Sequence, residues 1–226
     1  MSSMTLSLNH LKASNDLLRM TQAYDAKVLA DIYKEYNNIV IWKRNLEGKL
    51  KAAAEDILST HPRLEISIVT DRNEILANIK NLLGSSQTSL VLGEDIAFLV
   101  NIFCDLFELE QVGLRLASLD HAMCPRFHVD NVPCRLITTY QGIATEWLPH
   151  DIADRSKLGT GNNGQPDENS GIFQNQEDIR YLNKGDVALL KGEAWAGNEG
   201  KGLIHRSPKL LNNSNRLILT IDFINN

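Results

Sequence analysis

The segment RFHVD places His128 and Asp130 one residue apart. Imidazole and carboxylate groups bind metal ions, and they also hydrogen-bond to each other. The segment has the character of a β-strand, in which side chains two residues apart project from the same face. The two side chains therefore either pair with each other or share a third partner. Taken alone, such a pair is more often a hydrogen bond in a barrel wall than a metal site.

Two additional residues, much later in the chain, favour the metal site. His205 lies in GLIHRS, and Arg216 begins the strand-like segment RLILTIDF eleven residues later. Two imidazoles and one carboxylate form the facial triad of non-haem Fe(II) oxygenases, which leaves three positions open. A chelating 2-oxo acid can fill two of them and O₂ the third. Arginine suits the far carboxylate of such an acid, because it stays charged and binds carboxylates bidentately.

Alternation along the last strand predicts where Arg216 points. One face carries the apolar residues Leu217, Leu219, Ile221 and Phe223, so Arg216 is expected on the opposite face. A charged side chain in a barrel interior is costly unless it is paired. Arg216 is therefore expected either to meet solvent or a carboxylate such as Asp222 or Glu193, or to bind the far carboxylate of a 2-oxo acid.

The elements that must position these residues differ between the two parts of the chain. Residues 1–110 have apolar residues at helical spacing, with Asn45 as a candidate helix cap and Gly84 as a helix end. Residues 111–226 contain short, β-branched segments separated by Gly, Pro and Asn, which is typical of an antiparallel sandwich or barrel. The sequence predicts an α+β fold in which a helix-rich N-terminal part, 1–110, packs on a C-terminal all-β metal-binding domain, 111–226.

Composition excludes several functional classes. The chain has 226 residues, a net charge of −5 and a pI of about 5.7, so nucleic acid and anionic lipid are not expected partners. No apolar run is long enough for a membrane-spanning helix, and the first residues do not resemble a signal peptide. Three cysteines argue against a disulfide framework. We expect a soluble cytoplasmic protein. The sequence does not predict whether the substrate is a small molecule or a protein, and it does not predict the oligomeric state.

Residues 110–226 resemble the Fe(II)/2-oxoglutarate-dependent dioxygenases, whose core is a double-stranded β-helix, or jelly roll. The resemblance implies that His128, Asp130 and His205 bind Fe(II), and that Arg216 binds 2-oxoglutarate. It also implies an O₂-dependent oxidation of hydroxylase type, in which 2-oxoglutarate is converted to succinate.

The same resemblance implies further contacts with 2-oxoglutarate. In that family a basic residue and a tyrosine on the strand after His-x-Asp often contribute, and CRLITTYQG offers Arg135 and Tyr140, of which Tyr140 is preferred. The family often has a hydroxyl residue two positions after the arginine. Here that position is Ile218, and Thr220 supplies the hydroxyl on the same strand face.

A second resemblance covers the C-terminal half more closely. The segments RFHVDNVPCRLITTYQG, EWLPH, DRSKLG, GDVALLKGEAW and GNEGKGLIHRSP are similar to a bacterial family, domain of unknown function 1826. This resemblance supports a shared architecture and implies no particular substrate.

Two alternatives to an oxygenase follow from the same residues. A non-catalytic zinc-binding or metal-homeostasis protein could use the same His, Asp and His ligands, perhaps with a cysteine, since His121, Cys124 and Cys134 lie nearby. A cupin-like binding or structural domain without metal would use the three side chains as hydrogen-bonded core.

The segment 154–178 is polar and rich in turn-forming residues. Loops of this length within a compact domain are usually functional or disordered. It is therefore expected to be either a lid that closes over the site when ligand binds or a passive surface insertion.

Overall fold

The computed structural model describes residues 19–210 and 214–224, which form ten strands and several helices. The strands are β1 Met20–Ala23, β2 Ile39–Trp42, β3 Glu65–Asp71, β4 Gln111–Leu119, β5 Cys134–Gln141, β6 Glu146–Leu148, β7 Arg180–Tyr181, β8 Val187–Lys191, β9 Ile204–Arg206 and β10 Arg216–Asp222. The α-helices are α1 Gly48–Thr60, α2 Ile75–Leu83, α3 Gln87–Phe107 and α4 Asp167–Ser170. The 3-10 helices are Ala26–Tyr33, Arg155–Lys157, Gly159–Asn162 and Gln176–Asp178.

The strands form two sheets. The larger sheet has the order β1-β2-β8-β5-β10-β4-β3, and the smaller has the order β7-β6-β9. All pairs are antiparallel except β1 with β2. An isolated bridge between His128 and His205 places the His-x-Asp segment beside β9, at the edge of the smaller sheet.

Strand β10 shows how the larger sheet is covered on both faces. Its residues Leu217, Leu219 and Ile221 belong to the apolar cluster that packs against the helices, whereas Ile218 belongs to a second cluster on the opposite face. That second cluster contains Trp147 of the smaller sheet. The predicted alternation along this strand is therefore confirmed, and the face of Arg216 and Ile218 is the one turned towards the smaller sheet.

The helices pack on the other face of the larger sheet. Helices α1 and α3 contribute Ala53, Ile57, Leu99 and Phe103 to the same buried cluster as Leu136 of β5. Ser86 caps α3 by accepting a hydrogen bond from the backbone N–H of Ser89. Asn45 is not a helix cap as predicted, because α1 begins at Gly48 after Glu47. No helix in the described part of the chain is long and apolar enough to cross a membrane.

The larger sheet includes strands from both parts of the chain. Strands β1 and β2 form one end of it, and β3 forms the other, although all three come from the first 110 residues. The division of the chain at residue 110 into two domains stays a prediction.

The polar segment 154–178 contains the short helix α4 and three 3-10 turns. Ile172 and Phe173 of this segment are buried against Phe127, Leu148 and Ile204 in a third apolar cluster. Because Phe127 precedes His128 and Ile204 precedes His205, the segment packs directly behind the two histidines.

Candidate metal centre

His128 and His205 form a cross-strand pair. The backbone N–H of each donates to the carbonyl of the other, at 3.0 Å from His128 and 2.9 Å from His205. Residues paired in this way present their side chains on the same side of the sheet. The two imidazole ring centroids are accordingly 4.6 Å apart.

The backbone selects the tautomer of both imidazoles. Nδ1 of His128 lies 2.9 Å from the carbonyl oxygen of Arg126, and Nδ1 of His205 lies 3.2 Å from that of Leu203. Because a carbonyl oxygen only accepts hydrogen bonds, each Nδ1 must carry the proton. In the neutral form of each ring, Nε2 therefore carries the lone pair that can bind a metal. This arrangement, with the second nitrogen donating to a carbonyl, is the usual one for histidines that bind metals.

Asp130 completes the cluster. Its Oδ1 lies 3.6 Å from His128 Nε2, and its Oδ2 lies 3.4 Å from His205 Nε2. One ligand atom from each of the three residues falls within 4.8 Å of the other two. Burial opposes ionisation of Asp130, but the hydrogen bond and charge of His205, with the charge of Arg135, lower its pKa to about 2. Burial also lowers the pKa of His128, which favours the neutral imidazole that a metal requires.

Arg135 fixes the orientation of Asp130. Its Nη1 donates to Oδ2 of Asp130 at 2.7 Å, while its Nε and Nη2 donate to the two carboxylate oxygens of Asp222 at 2.8 and 3.0 Å. Charge-assisted bonds of this length are strong. The basic residue on the strand after His-x-Asp is therefore the one that contacts the candidate site.

Tyr140 lies outside the site, contrary to the sequence-based preference. It belongs to the apolar cluster between the sheet and the helices, and its hydroxyl donates to Asp95 of α3 at 2.7 Å. Arg135 and Tyr140 are five residues apart on one strand, so they face opposite sides of the sheet. The helices bury Tyr140, and its pKa is raised well above the ordinary value by burial and by the charge of Asp95.

Gly192 allows the backbone around Asp130 to approach the loop after β8. A Cβ atom at Gly192 would lie 2.0 Å from the carbonyl oxygen of Val132 and 2.8 Å from that of Asp130. The backbone N–H of Gly192 donates to Pro133, and that of Glu193 donates to Asp130. Only glycine fits here, so this contact holds the carboxylate ligand in place.

Replacing Gly192 by alanine should therefore weaken metal binding, because the Cβ forces the Asp130 backbone away from the two histidines. We expect at least a tenfold loss of affinity for Mn²⁺ or Zn²⁺, measured by calorimetry, as for other residues that support metal ligands. Gly113→Ala in the larger sheet is the control, since the backbone of Gly113 is not left-handed and a Cβ there meets no atom closer than 3.7 Å. Equal affinities in the two variants would show that this contact does not position Asp130.

Arg216 is fully buried and lacks an acidic partner within the described residues. Its Nη2 donates to the hydroxyls of Thr139 and Thr145 at 3.2 and 3.3 Å, whereas its Nε and Nη1 have no hydrogen-bond partner there. Burial lowers its pKa to about 10. Of the carboxylates considered from the sequence, Asp222 pairs with Arg135 and Glu193 pairs with Arg155. Two guanidinium nitrogens are therefore free to bind an anion.

A narrow pocket connects the histidines with this face of the sheet. It has a volume of about 40 Å³, and Thr145, Ile218 and Thr220 line it together with His128 and His205. The volume corresponds to little more than one water molecule, so an organic acid can bind only if the wall moves. Flexible Met123, which also lines the pocket, is the side chain best able to adjust.

The cysteines do not join the cluster. Cys134 is buried on the helix-facing side of the sheet, where burial raises the pKa of its thiol. Cys124 is exposed and lines the pocket, but the metal-ligand cluster in the described residues contains no cysteine. The remaining candidate ligand, His121, is exposed, and its Nδ1 contacts Asp120.

Arg206, the residue after His205, ties the segment 154–178 to the site. It forms ion pairs with Glu146 at 2.6 Å, with Asp167 at 2.9 Å and with Glu168 at 3.1 Å. Asp167 also accepts a hydrogen bond from the backbone N–H of Phe127. In this structure the segment is packed against both ligand-bearing strands; closure on ligand binding stays a prediction.

Solved structures of known proteins share this fold. Dioxygenase for auxin oxidation 1 from Arabidopsis thaliana, in a binary complex with 2-oxoglutarate, matches with a TM-score of 0.53 and 8% identity, over 92% of each chain. A full-length Neurospora crassa protein, in complex with alpha-KG and 5-formyluracil, gives a TM-score of 0.49 and 10% identity, over 90% of this chain and 83% of that one. A Pseudomonas putida prolyl-4-hydroxylase gives 0.46 and 12%, over 89% and 98%. The match to the Arabidopsis enzyme confirms the predicted mixed α+β fold with a jelly roll.

The sequence comparisons identify a family whose description names no activity. No curated protein is significantly similar to the chain in sequence. A family model described as protein of unknown function (DUF1826) matches residues 23–222. The match spans nearly the whole chain and includes the candidate metal ligands, the buried arginine and strands β2 to β10. The chain therefore belongs to this family, the proteins of unknown function DUF1826.

Proposed function

We propose that the chain is an Fe(II)- and 2-oxoglutarate-dependent oxygenase of the hydroxylase type. The observation that carries the proposal is Arg216, a buried guanidinium with two unpaired nitrogens on the same sheet face as the pocket beside the histidines. A metal-binding protein has no need of such a group, whereas an organic acid bound to the metal requires a cationic partner. The fold shared with a dioxygenase solved in complex with 2-oxoglutarate supports the same assignment.

The donor set suits Fe(II). Two neutral imidazoles with converging Nε2 atoms and one ionised carboxylate are the ligands of the facial triad. The backbone carbonyls that hold each Nδ1 and the guanidinium that holds Asp130 supply the surrounding hydrogen bonds that such ligands need. The residues present therefore fit the metal.

When bound, Fe(II) would activate O₂, and 2-oxoglutarate would supply two electrons as it is converted to succinate and CO₂. The chain holds the reactants in place. His128, Asp130 and His205 would hold the metal, and Arg216 would bind the far carboxylate of the acid. Thr139 and Thr145 hold the guanidinium by its Nη2, so its Nη1 remains available to that carboxylate.

The alternative, a zinc-binding protein without catalysis, is less well supported. Structural zinc sites are closed by four protein ligands, commonly including cysteine. The cluster found in the described residues has three ligands and no thiolate. Zinc nevertheless competes with iron for these ligand types, so a protein isolated with zinc does not identify the native metal.

Binding of 2-oxoglutarate to anaerobic, Fe(II)-loaded protein tests the proposal. We expect one molecule per chain by calorimetry, with a metal-to-ligand absorption band in the visible range. Succinate, which lacks the 2-oxo group and cannot chelate in the same way, is the control and should give no such band. If neither heat nor an absorption band is observed with 2-oxoglutarate, the chain is not an oxygenase of this type.

A further inference from the structure

A groove lies next to the candidate metal centre, on the inner face of the larger sheet. It has a volume of about 510 Å³, and its floor is formed by strands β3, β4 and β10. Met123, Cys124, Arg135 and Thr220 line both this groove and the narrow pocket beside the histidines. The groove is therefore the open route by which a second molecule reaches the centre.

The strand register shows how the groove is shaped. One row across the sheet consists of Val69, Gly113, Asp222 and Arg135, each paired with the next. Gly113 has no side chain, so the floor is lowered between Val69 and Asp222. Neighbouring strands are about 4.8 Å apart, so this row runs about 14 Å from the edge strand β3 to Arg135. Arg135 in turn contacts Asp130.

The neighbouring row of the sheet contains Arg115, the arginine in the groove that is most available to bind an anion. Arg115, between Ser67 and Thr220, donates Nη2 to Glu65 at 3.0 Å and Nη1 to the thioether of Met123. Its Nε is buried without a partner among the described residues. Glu65 is 67% exposed, and exposed ion pairs contribute little. A thioether is a weak acceptor.

Arg135, by contrast, is not available. All its donors that face the groove are taken by Asp130 and Asp222. An incoming anion would therefore be bound by Arg115, which can exchange a weak acceptor and an exposed carboxylate for a bidentate partner.

We propose that this groove binds the primary substrate, and that the substrate is an elongated molecule with a carboxylate at one end. Arg115 binds the carboxylate, the body of the molecule lies over Gly113, and the opposite end passes Cys124 and Arg135 to the metal centre. This assignment rests on the proposed oxygenase function for its biological meaning, but the groove can be tested without it.

Protection of Cys124 from alkylation provides the test. Cys124 is the exposed cysteine, whereas Cys104 and Cys134 are buried. The full chain is treated with iodoacetamide, a neutral reagent, in the presence of a chelator that prevents carboxylates from binding a metal. The probe is 6-phenylhexanoate, and the matched neutral probe is 6-phenylhexan-1-ol. We expect the carboxylate to slow alkylation of Cys124 at least fivefold at saturation, and the alcohol to have little effect.

Three variants locate the probe. Arg115→Gln should weaken protection by the carboxylate about tenfold or more, as expected for loss of a charge-assisted contact. Gly113→Val should abolish it by filling the groove, whereas Gly113→Ala should reduce it only partly. The alanine Cβ meets no atom closer than 3.7 Å, so the change to alanine does not strain the strand. Melting temperatures within a few degrees of that of the unaltered chain would show that the three variants fold.

Three results would overturn the proposal. Equal protection by the alcohol and the carboxylate would show that the groove does not select anions. Unchanged protection in Gly113→Val would place the probe elsewhere. Loss of protection in Arg216→Met would place it in the 2-oxoglutarate pocket. Failure of 2-oxoglutarate binding in the Fe(II)-loaded protein is a separate result, which would refute the oxygenase function and leave the groove measurement unchanged.

Discussion

Replacing Asp130 by alanine is expected to abolish stoichiometric binding of a divalent ion. The carboxylate supplies the only negative charge among the three ligands and lies within 3.6 Å of both imidazole Nε2 atoms. Its removal also leaves Arg135 without one acceptor, so a guanidinium faces the position of the metal. Loss of a supporting residue commonly costs 10- to 100-fold in metal affinity, and loss of a direct ligand should exceed this. Metal content after dialysis and calorimetry with Mn²⁺ measure the effect.

His121→Ala is the matched control for a histidine ligand, because His121 lies in the same region but is exposed and contacts only Asp120. This variant should retain one ion per chain, whereas His205→Ala should lose it. Melting temperatures would exclude a general loss of structure. One ion per chain in both Asp130→Ala and His205→Ala would show that the metal binds elsewhere or that no specific site exists.

The clustering of His128, Asp130 and His205 could be predicted from the sequence, but their arrangement could not. His128 and Asp130 could be assigned to one face because of their spacing. That His205 pairs with His128 through two backbone hydrogen bonds could not be predicted, because 77 residues separate them and strand register depends on the whole sheet. The tautomers likewise depend on the local carbonyls of Arg126 and Leu203, which only the folded backbone brings into position.

The error over Tyr140 had a signal in the sequence. Arg135 and Tyr140 differ by an odd number of residues, so one strand cannot direct both to the same side. Leu136 lies four residues before Tyr140, so both side chains are on the same face of the strand. Leu136 is fully buried, which assigns that face to the core. The partner of Tyr140, Asp95, is on a helix from the first part of the chain, and this contact could not be predicted from local pattern.

The local sequence pattern also could not predict that both parts of the chain contribute strands to the larger sheet. The segments that form β2 and β3, IVIW and EISIVTD, are rich in β-branched residues, but neither indicates its partner strand. β2 pairs with β8, and β3 pairs with β4. As a result β3 supplies one wall of the substrate groove, so residues before 110 contribute to the proposed site. Pairing over such distances depends on the complementary edges of the jelly roll and has no signal in either strand alone.

Replacing Arg216 by methionine is expected to have opposite effects on ligand binding and on stability. The affinity for 2-oxoglutarate should fall by about 10- to 150-fold, since charge-assisted bonds contribute roughly 1.5–3 kcal/mol. Metal content should not change, because Arg216 contacts hydroxyls rather than the ligands. The ligand-free protein should become more stable by about 1 kcal/mol, because a buried charge without an acidic partner is replaced by an apolar side chain of similar length.

Arg206→Met is the control that separates these effects. Arg206 is also a partly buried arginine near the site, but it is paired with Glu146, Asp167 and Glu168, so its loss leaves carboxylates without a partner and should lower the melting temperature. For Arg216→Met we expect a rise of roughly 2–4 °C, the shift that about 1 kcal/mol gives in a chain of this size. A buried arginine that lowers the stability of the ligand-free protein is expected only where its unpaired guanidinium binds a ligand. A fall in melting temperature together with unchanged 2-oxoglutarate affinity would make Arg216 a structural residue and remove the main support for the oxygenase assignment.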